Sequence, residues 1–161
     1  MRIVSILENQ NIEKRVAITP EIAKKYIALG FEISLAEKYG DHLGFKDSAF
    51  KELGVKILNN ESEILKNADI IIQLGLLSDE NLSNLKQNQT LVGVFNPYVN
   101  KEKIENLSKK NINIFSLEML PRITRAQSMD ILSSQANLAG YKAVIESFAN
   151  FEKAIPMMMT A

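Results

Sequence analysis

Apolar and polar residues alternate along the chain in short blocks, and the spacing within each block distinguishes strands from helices. Runs rich in β-branched and apolar residues predict strands at 2–6, 31–37, 55–58, 68–74, 90–95 and 112–117. Blocks with helical spacing lie between them, at 20–29, 47–53, 61–67, 78–86 and 101–110, and a longer one follows at 128–151. The run ADIIIQL (68–74) is almost entirely apolar, which is typical of a strand buried on both faces.

Strands and helices that alternate at this rhythm predict parallel strands joined by right-handed crossovers. We therefore expect one α/β domain over 1–161, a Rossmann-like or flavodoxin-like sandwich with helices on both faces and a long C-terminal helix. In such sheets ligands bind at the carboxyl ends of the strands.

Composition excludes several classes of function. The 161 residues carry 19 basic and 19 acidic side chains, so nucleic acid or an anionic membrane surface is not expected as the main partner. The chain has no cysteine and a single histidine, His42, and we therefore predict no metal site. It shows neither a signal peptide nor an apolar run of about 20 residues, so we expect a soluble chain in a reducing compartment.

The seven glycines, at 30, 40, 44, 54, 75, 93 and 140, form neither a dinucleotide fingerprint nor a P-loop. If the chain contacts a dinucleotide, something other than a glycine-rich turn of this chain holds the pyrophosphate.

The segment ENQNIEKRVAITPEIAKK (8–25) is interpreted as the connection between the first strand and the first helix, at the carboxyl end of the strand. Arg15 within it could clamp a carboxylate or a phosphate, or it could pair with Glu8 or Glu13. His42, in the sequence GDHLGF, is interpreted as a loop residue rather than a catalytic base.

The stretch PRITRAQSMDILSSQANLAGYKAV (121–144) has helical periodicity but very few charges. One side of the predicted helix carries Gln127, Asp130, Ser133 or Ser134, Asn137 and Tyr141, and the other side carries Met129, Leu132, Ala136, Ala139 and Ala143, which could pack on the sheet. The polar side would suit a neutral ligand such as a carboxamide or a ribose. Alternatively, the helix is buried between domains and its polar groups are satisfied internally.

This stretch closely resembles the signature of the NAD(H)-binding alpha subunit of proton-translocating nicotinamide nucleotide transhydrogenase. EKRVAITPE (13–21) resembles a motif that this subunit shares with alanine dehydrogenase, and PMMMTA (156–161) resembles the segment before the family's nucleotide-binding Rossmann domain. The resemblance extends over essentially the whole chain.

The resemblance implies that hydride passes directly between NAD(H) on this subunit and NADP(H) on a domain of a partner subunit, coupled to proton translocation. It implies two partners, a second alpha subunit and a membrane-embedded subunit with the NADP(H)-binding domain. The complex would lie at the cytoplasmic face of a bacterial inner membrane, or at the matrix face in a mitochondrion.

Matched onto this sequence, the family's contacts to the nicotinamide half of the cofactor fall on Arg122, Gln127, Asp130 and Ser133. Arg125, in the same loop, is a weaker candidate. The resemblance implies Gln127 and Asp130 as the catalytic residues.

Two departures limit the resemblance. The family's Rossmann domain would lie beyond Ala161, so we expect little NAD affinity or hydride transfer from this domain alone. Gln73 stands where relatives usually carry a lysine, and Phe95, Asn96 and Pro97 stand where alanine dehydrogenases use a histidine, which disfavours amino-acid oxidation. The alternatives are the substrate domain of an alanine dehydrogenase-like oxidoreductase and a non-catalytic remnant.

Overall fold

A computed structural model describes residues 1–153 of the chain. The chain divides into two compact units, Met1–Met119 (unit 1) and Leu120–Ala161 (unit 2), which are described separately. The expectation for PMMMTA falls outside the described residues.

Unit 1 contains a parallel sheet of six strands in the order β3-β2-β1-β4-β5-β6. The strands are β1 (Arg2–Ser5), β2 (Glu32–Ala36), β3 (Lys56–Leu58), β4 (Ile70–Gln73), β5 (Thr90–Gly93) and β6 (Asn113–Ser116). Each lies within one of the six predicted runs, so the predicted α/β class is confirmed, and the strand order is that of a doubly wound Rossmann sheet.

Among the described residues, five α-helices connect these strands, and a sixth belongs to unit 2. They are α1 (Pro20–Ala28), α2 (Asp47–Glu52), α3 (Glu61–Lys66), α4 (Asp79–Ser83), α5 (Lys101–Lys109) and α6 (Ile131–Ala149). The ends of α1 follow from local sequence. Thr19 caps its first turn by accepting the N–H of Ile22, Pro20 occupies the first helical position, and Gly30 follows it with a φ of +87°.

The sheet separates two apolar cores. The register places Val4, Ile71 and Leu91 side by side on one face, where they pack with Ile64 and Leu107 of the helices. The other face carries a second core, with side chains from β1, β2, α1 and α2: Ile3, Ile33, Leu35, Ala23 and Phe50. Helices therefore contribute buried side chains on both faces, as predicted.

The long C-terminal helix predicted at 128–151 is present, but its predicted start is wrong. Residues Thr124–Met129 form a 3₁₀-helix, and Asp130 follows with φ −73° and ψ 92°, outside the helical region. The α-helix begins only at Ile131 because Asp130 is its N-cap. No residue of α6 is buried, and Leu132, expected on a packing side, is 42% exposed.

Among the described residues, none of the helices combines the length and the apolar character needed to cross a membrane.

Candidate functional site

A cavity of about 670 Å³ lies within unit 2. It is lined by Arg122, Ile123, Thr124, Ala126, Gln127, Asp130 and Ser133. Four of the five predicted cofactor contacts, Arg122, Gln127, Asp130 and Ser133, are therefore brought together. Arg125 lies in the same 3₁₀-helix and is exposed, but it does not line this cavity.

Asp130 and Ser133 form part of the cavity wall and are joined by two hydrogen bonds. One carboxylate oxygen of Asp130 accepts the backbone N–H of Ser133 at 3.0 Å, and the other accepts the Ser133 hydroxyl at 2.6 Å. The first bond is an N-cap, which satisfies one of the free N–H groups of the first turn of α6. Because the hydroxyl proton of Ser133 is directed to Asp130, Ser133 Oγ faces other groups only as an acceptor, through its two lone pairs.

The same contacts set the charge state of Asp130. Hydrogen bonds from the Ser133 hydroxyl and the Ser133 N–H lower the pKa of the Asp130 carboxyl below its ordinary value, and the positive charge of Arg122 contributes in the same direction. The cavity therefore holds a carboxylate anion and a guanidinium.

Gln127 lies near the end of the 3₁₀-helix. Its backbone oxygen accepts the N–H of Asp130 at 3.3 Å, which closes the turn between the two residues. The exposed side-chain amide of Gln127 offers both donors and an acceptor.

The predicted single polar stripe is wrong in its local structure. Gln127 comes from the 3₁₀-helix, and Asp130 and Ser133 come from the cap and first turn of α6. Arg122, which was predicted in the loop before the stripe, lies outside any helix or strand. The residues further along the predicted stripe, Ser134, Asn137 and Tyr141, lie on α6 but not in the cavity wall. The cluster thus arises where the chain changes from one helix type to another.

The lining residues Ile123, Thr124 and Ala126 were not predicted from the sequence. Thr124 begins the 3₁₀-helix, and Ala126 is its one buried residue. The available signal for the helix start was Asp130, a residue type favoured at N-caps, directly before the apolar Ile131.

Unit 1 contains a second cavity, of about 490 Å³, at the carboxyl ends of the strands. The strand order reverses direction between β1 and β4, the position at which doubly wound sheets form a ligand crevice. The lining includes Ile6 and Glu8, which follow β1, and Gln73 and Gly75 at the end of β4. We call this cavity the switch-point crevice.

Two candidates from the sequence, Arg15 and His42, are engaged in local contacts. Arg15 forms an ion pair with Glu13 at 2.6 Å, one of the pairings considered from the sequence. This contact raises the pKa of Arg15 and lowers the pKa of Glu13. His42 lies in a short 3₁₀-helix, Asp41–Leu43, rather than in the loop that was predicted, and one of its ring nitrogens lies 2.7 Å from the backbone oxygen of Lys14.

Within residues 1–153, no three His, Asp or Glu side chains are grouped so that they could hold a metal ion.

Comparison with known proteins connects this geometry to a family. The chain is 43% identical over its whole length to an NAD(P) transhydrogenase alpha-subunit polypeptide of Rickettsia prowazekii, of which it covers 43%. The transhydrogenase structure from Sinorhizobium meliloti superposes with a TM-score of 0.86 at 36% identity, over 98% of this chain and 48% of that chain. The chain thus spans less than half the length of these relatives.

Alanine dehydrogenases are more distant relatives. Alanine dehydrogenase 1 of Staphylococcus aureus is 24% identical over 90% of this chain and 38% of its own length. The transhydrogenase similarity is therefore clearly the stronger of the two.

The family model described as "Alanine dehydrogenase/PNT, N-terminal domain" matches residues 6–139, which include both the switch-point crevice and the polar cavity of unit 2. With most of its length matched by that model, this chain belongs to the alanine dehydrogenase/PNT N-terminal domain family.

Proposed function

We propose that this chain is the N-terminal domain of the alpha subunit of a proton-translocating NAD(P) transhydrogenase, and that unit 2 contributes contacts to the nicotinamide half of NAD(H). The observation that carries the proposal is the convergence of Arg122, Gln127, Asp130 and Ser133 on one cavity. The identity to transhydrogenase alpha subunits supports the choice of reaction.

The donors and acceptors of the cavity fit a carboxamide or a ribose. The Gln127 amide can donate to a carbonyl oxygen and accept from an N–H or O–H group. Ser133 Oγ, whose proton is directed to Asp130, can accept a hydrogen bond from the carboxamide NH₂ or from a ribose hydroxyl. Gln127 and Ser133 would therefore fix the orientation of the nicotinamide ring.

Asp130 and Arg122 have a different role in this proposal. Asp130 acts mainly through Ser133, because its two oxygens hold the Ser133 N–H and hydroxyl. Asp130 is thus a positioning residue, and Arg122 supplies a positive charge to the same cavity. Arg125, outside the cavity wall, would contribute a weaker, longer-range charge.

NAD(H), when bound, would supply or accept the hydride that is exchanged with NADP(H). The chain would then need only to bind and orient the ring, because direct hydride transfer requires no proton abstraction at carbon. Side chains that offer hydrogen bonds at fixed positions, without a general base, are consistent with that task.

The proposal extends to the assembly. A second alpha subunit and a membrane-embedded subunit that binds NADP(H) would be the partners, at the cytoplasmic face of a bacterial inner membrane. We expect turnover only in the complete complex, because the NADP(H) that exchanges hydride with NAD(H) would bind to the partner subunit.

Assays of the full-length protein in its complex test the reaction. NADH-driven reduction of an NADP analogue is the expected activity. Alanine-dependent formation of NADH, without transfer to the NADP analogue, would overturn the proposal in favour of an amino-acid dehydrogenase.

A further inference from the structure

A further cavity of unit 1, of about 220 Å³, lies between α3 and the amino-terminal ends of β1, β2 and β3. Its polar wall comprises Arg2, Ser34 and Lys56 from the strands, Glu63 from α3 and Asn67, the C-cap of that helix. Arg2 and Lys56 are the first residues of β1 and β3. The cavity is therefore separate from the switch-point crevice, which lies at the carboxyl ends of the strands, and we call it the amino-end cavity.

Ser34 places a polar side chain on a sheet face that is otherwise part of an apolar core. The strand register sets Ser34 between Val4 of β1 and Lys56 of β3, on the face whose core includes Ile64 of α3. Ser34 is only 1% exposed, and among the described residues its hydroxyl has no hydrogen-bond partner. Buried hydroxyls are normally bonded, so this one is available to a ligand in the cavity that it lines.

The two cations of the cavity wall, Arg2 and Lys56, share a single carboxylate. Both contact the same oxygen of Glu32, each at 3.2 Å. Arg2 also reaches the backbone oxygen of Asn67 at 3.5 Å, whereas its Nε is a buried donor without a partner in the described part of the chain. Two cations on one carboxylate leave an excess of positive charge on the strand side of the cavity.

Glu63 supplies the opposite charge from the helix side. Its carboxylate forms no ion pair within residues 1–153, although Glu63 lines the same cavity as Arg2 and Lys56. The side-chain amide of Asn67 likewise has no hydrogen-bond partner in that part of the chain. Charges of both signs therefore line one cavity without being paired with one another across it.

We propose that the amino-end cavity binds a small zwitterion of the α-amino acid class. The carboxylate of the ligand lies against Arg2, Lys56 and the Ser34 hydroxyl, and its ammonium group lies against Glu63 and the amide oxygen of Asn67. A simple anion would meet the Glu63 carboxylate, and a simple cation would meet Arg2 and Lys56, so a ligand that carries both charges binds best. This site goes beyond the proposed function and uses none of the contacts of unit 2.

The test uses glycine as the zwitterion, and acetate and methylammonium as probes that each carry one of its two charges. Backbone amide resonances of Ser34, Lys56 and Asn67 are followed by NMR in the full-length protein without NAD(H). Glycine should cause saturable shifts in the wild type, together with a rise in melting temperature, because a ligand that binds only the folded state stabilises it. Acetate and methylammonium should each bind at least about tenfold more weakly than glycine, since each loses one charged contact.

Two variants of the cavity wall separate the two halves of the ligand. Glu63→Gln should weaken glycine binding about tenfold without weakening acetate binding, because only the ammonium group loses its partner. Ser34→Ala should weaken glycine binding about fivefold, and it should not lower the melting temperature, because the hydroxyl that it removes has no partner among the described residues. Glu80→Gln is the matched control, since Glu80 is an exposed carboxylate on α4 outside this cavity, and it should bind glycine like the wild type.

Three results would overturn the proposal. They are the absence of saturable glycine shifts in the wild type, binding of acetate or methylammonium as tightly as glycine, and wild-type affinity for glycine in both Glu63→Gln and Ser34→Ala. If Ser34→Ala does not fold, Ser34→Cys takes its place, since a thiol of nearly the same size is a much weaker donor. None of these outcomes depends on hydride transfer or on the cavity of unit 2.

Discussion

The carboxylate of Asp130 holds the backbone N–H of Ser133 at 3.0 Å and its hydroxyl at 2.6 Å. This pair starts α6 and also forms part of the cavity wall. These two hydrogen bonds therefore fix the start of α6, and they also leave Ser133 Oγ to act as an acceptor for a ligand.

Replacement of Asp130 by alanine should fray the first turn of α6, because the Ser133 N–H loses its acceptor. Hydrogen exchange at the Ser133 amide should become several-fold faster. Asp130→Asn is the matched control, since asparagine caps helices about as well as aspartate. Equal exchange rates in the two variants would show that the cap does not hold this turn.

Acid should weaken the same cap. The pKa of Asp130 is lowered in the folded protein from its ordinary value of 3.8, so its contribution to stability is present above pH 3.8 and is lost as the pH falls through the lowered pKa. A carbon-13 titration of the Asp130 carboxyl should give a midpoint below 3.8. A midpoint at or above that value would contradict the hydrogen-bonding pattern.

The pKa of the Glu8 carboxyl is shifted in the opposite direction from that of Asp130. Burial is the largest effect on the Glu8 carboxyl and raises its pKa above 4.5, although the N–H groups of Leu74 and Gly75 oppose the shift. The folded state therefore favours the protonated form. This stability is present below pH 4.5 and is lost as the pH rises through the raised pKa.

Comparison with Glu8→Gln isolates this effect, because glutamine does not titrate. The free energy of unfolding of the wild type, minus that of Glu8→Gln, should decrease as the pH rises from about 4 to about 7, in the direction that the raised pKa requires. Urea denaturation at several pH values measures the difference. A difference that increases over this range would contradict the burial of Glu8 as the dominant effect on its carboxyl.

Tyr39→Phe should destabilise unit 1. The hydroxyl of the buried Tyr39 accepts two backbone N–H groups and bonds Ser5, so its loss leaves buried donors unsatisfied, at a cost of about 2 kcal/mol or more. Tyr26→Phe in α1, where the tyrosine is only partly buried, should change the free energy of unfolding by less than about 0.5 kcal/mol. Equal losses in the two variants, measured by urea denaturation, would argue against the role of the Tyr39 hydroxyl.

The sequence predicted the sheet well because the strands of unit 1 are short apolar runs between clear helix and turn signals. The buried run around Ile70–Gln73 and the Pro20 and Gly30 boundaries of α1 are examples. Because these signals are local, they can be recognised in the sequence without knowledge of the tertiary structure.

The start of α6 was predicted too early because periodicity alone does not distinguish a 3₁₀-helix followed by a cap from an α-helix. Asp130, the N-cap residue directly before Ile131, was the feature that marked the true start of the α-helix. The hydrogen bonds between the Gln73 side chain and the Ile6 backbone could not be predicted in the same way, because they depend on β1 and β4 being neighbours. That adjacency joins residues 67 positions apart in the sequence.

The measurement that most directly tests the central claim is a calorimetric titration of NADH into the full-length protein and two glutamine variants. Gln127→Ala removes an amide from the cavity wall, whereas Gln135→Ala removes one from an exposed position on α6 outside that wall. We predict that Gln127→Ala weakens NADH binding about tenfold, as expected for the loss of one or two hydrogen bonds, and that Gln135→Ala binds like the wild type. Unchanged NADH affinity in Gln127→Ala would contradict the assignment of this cavity to the nicotinamide half of the cofactor.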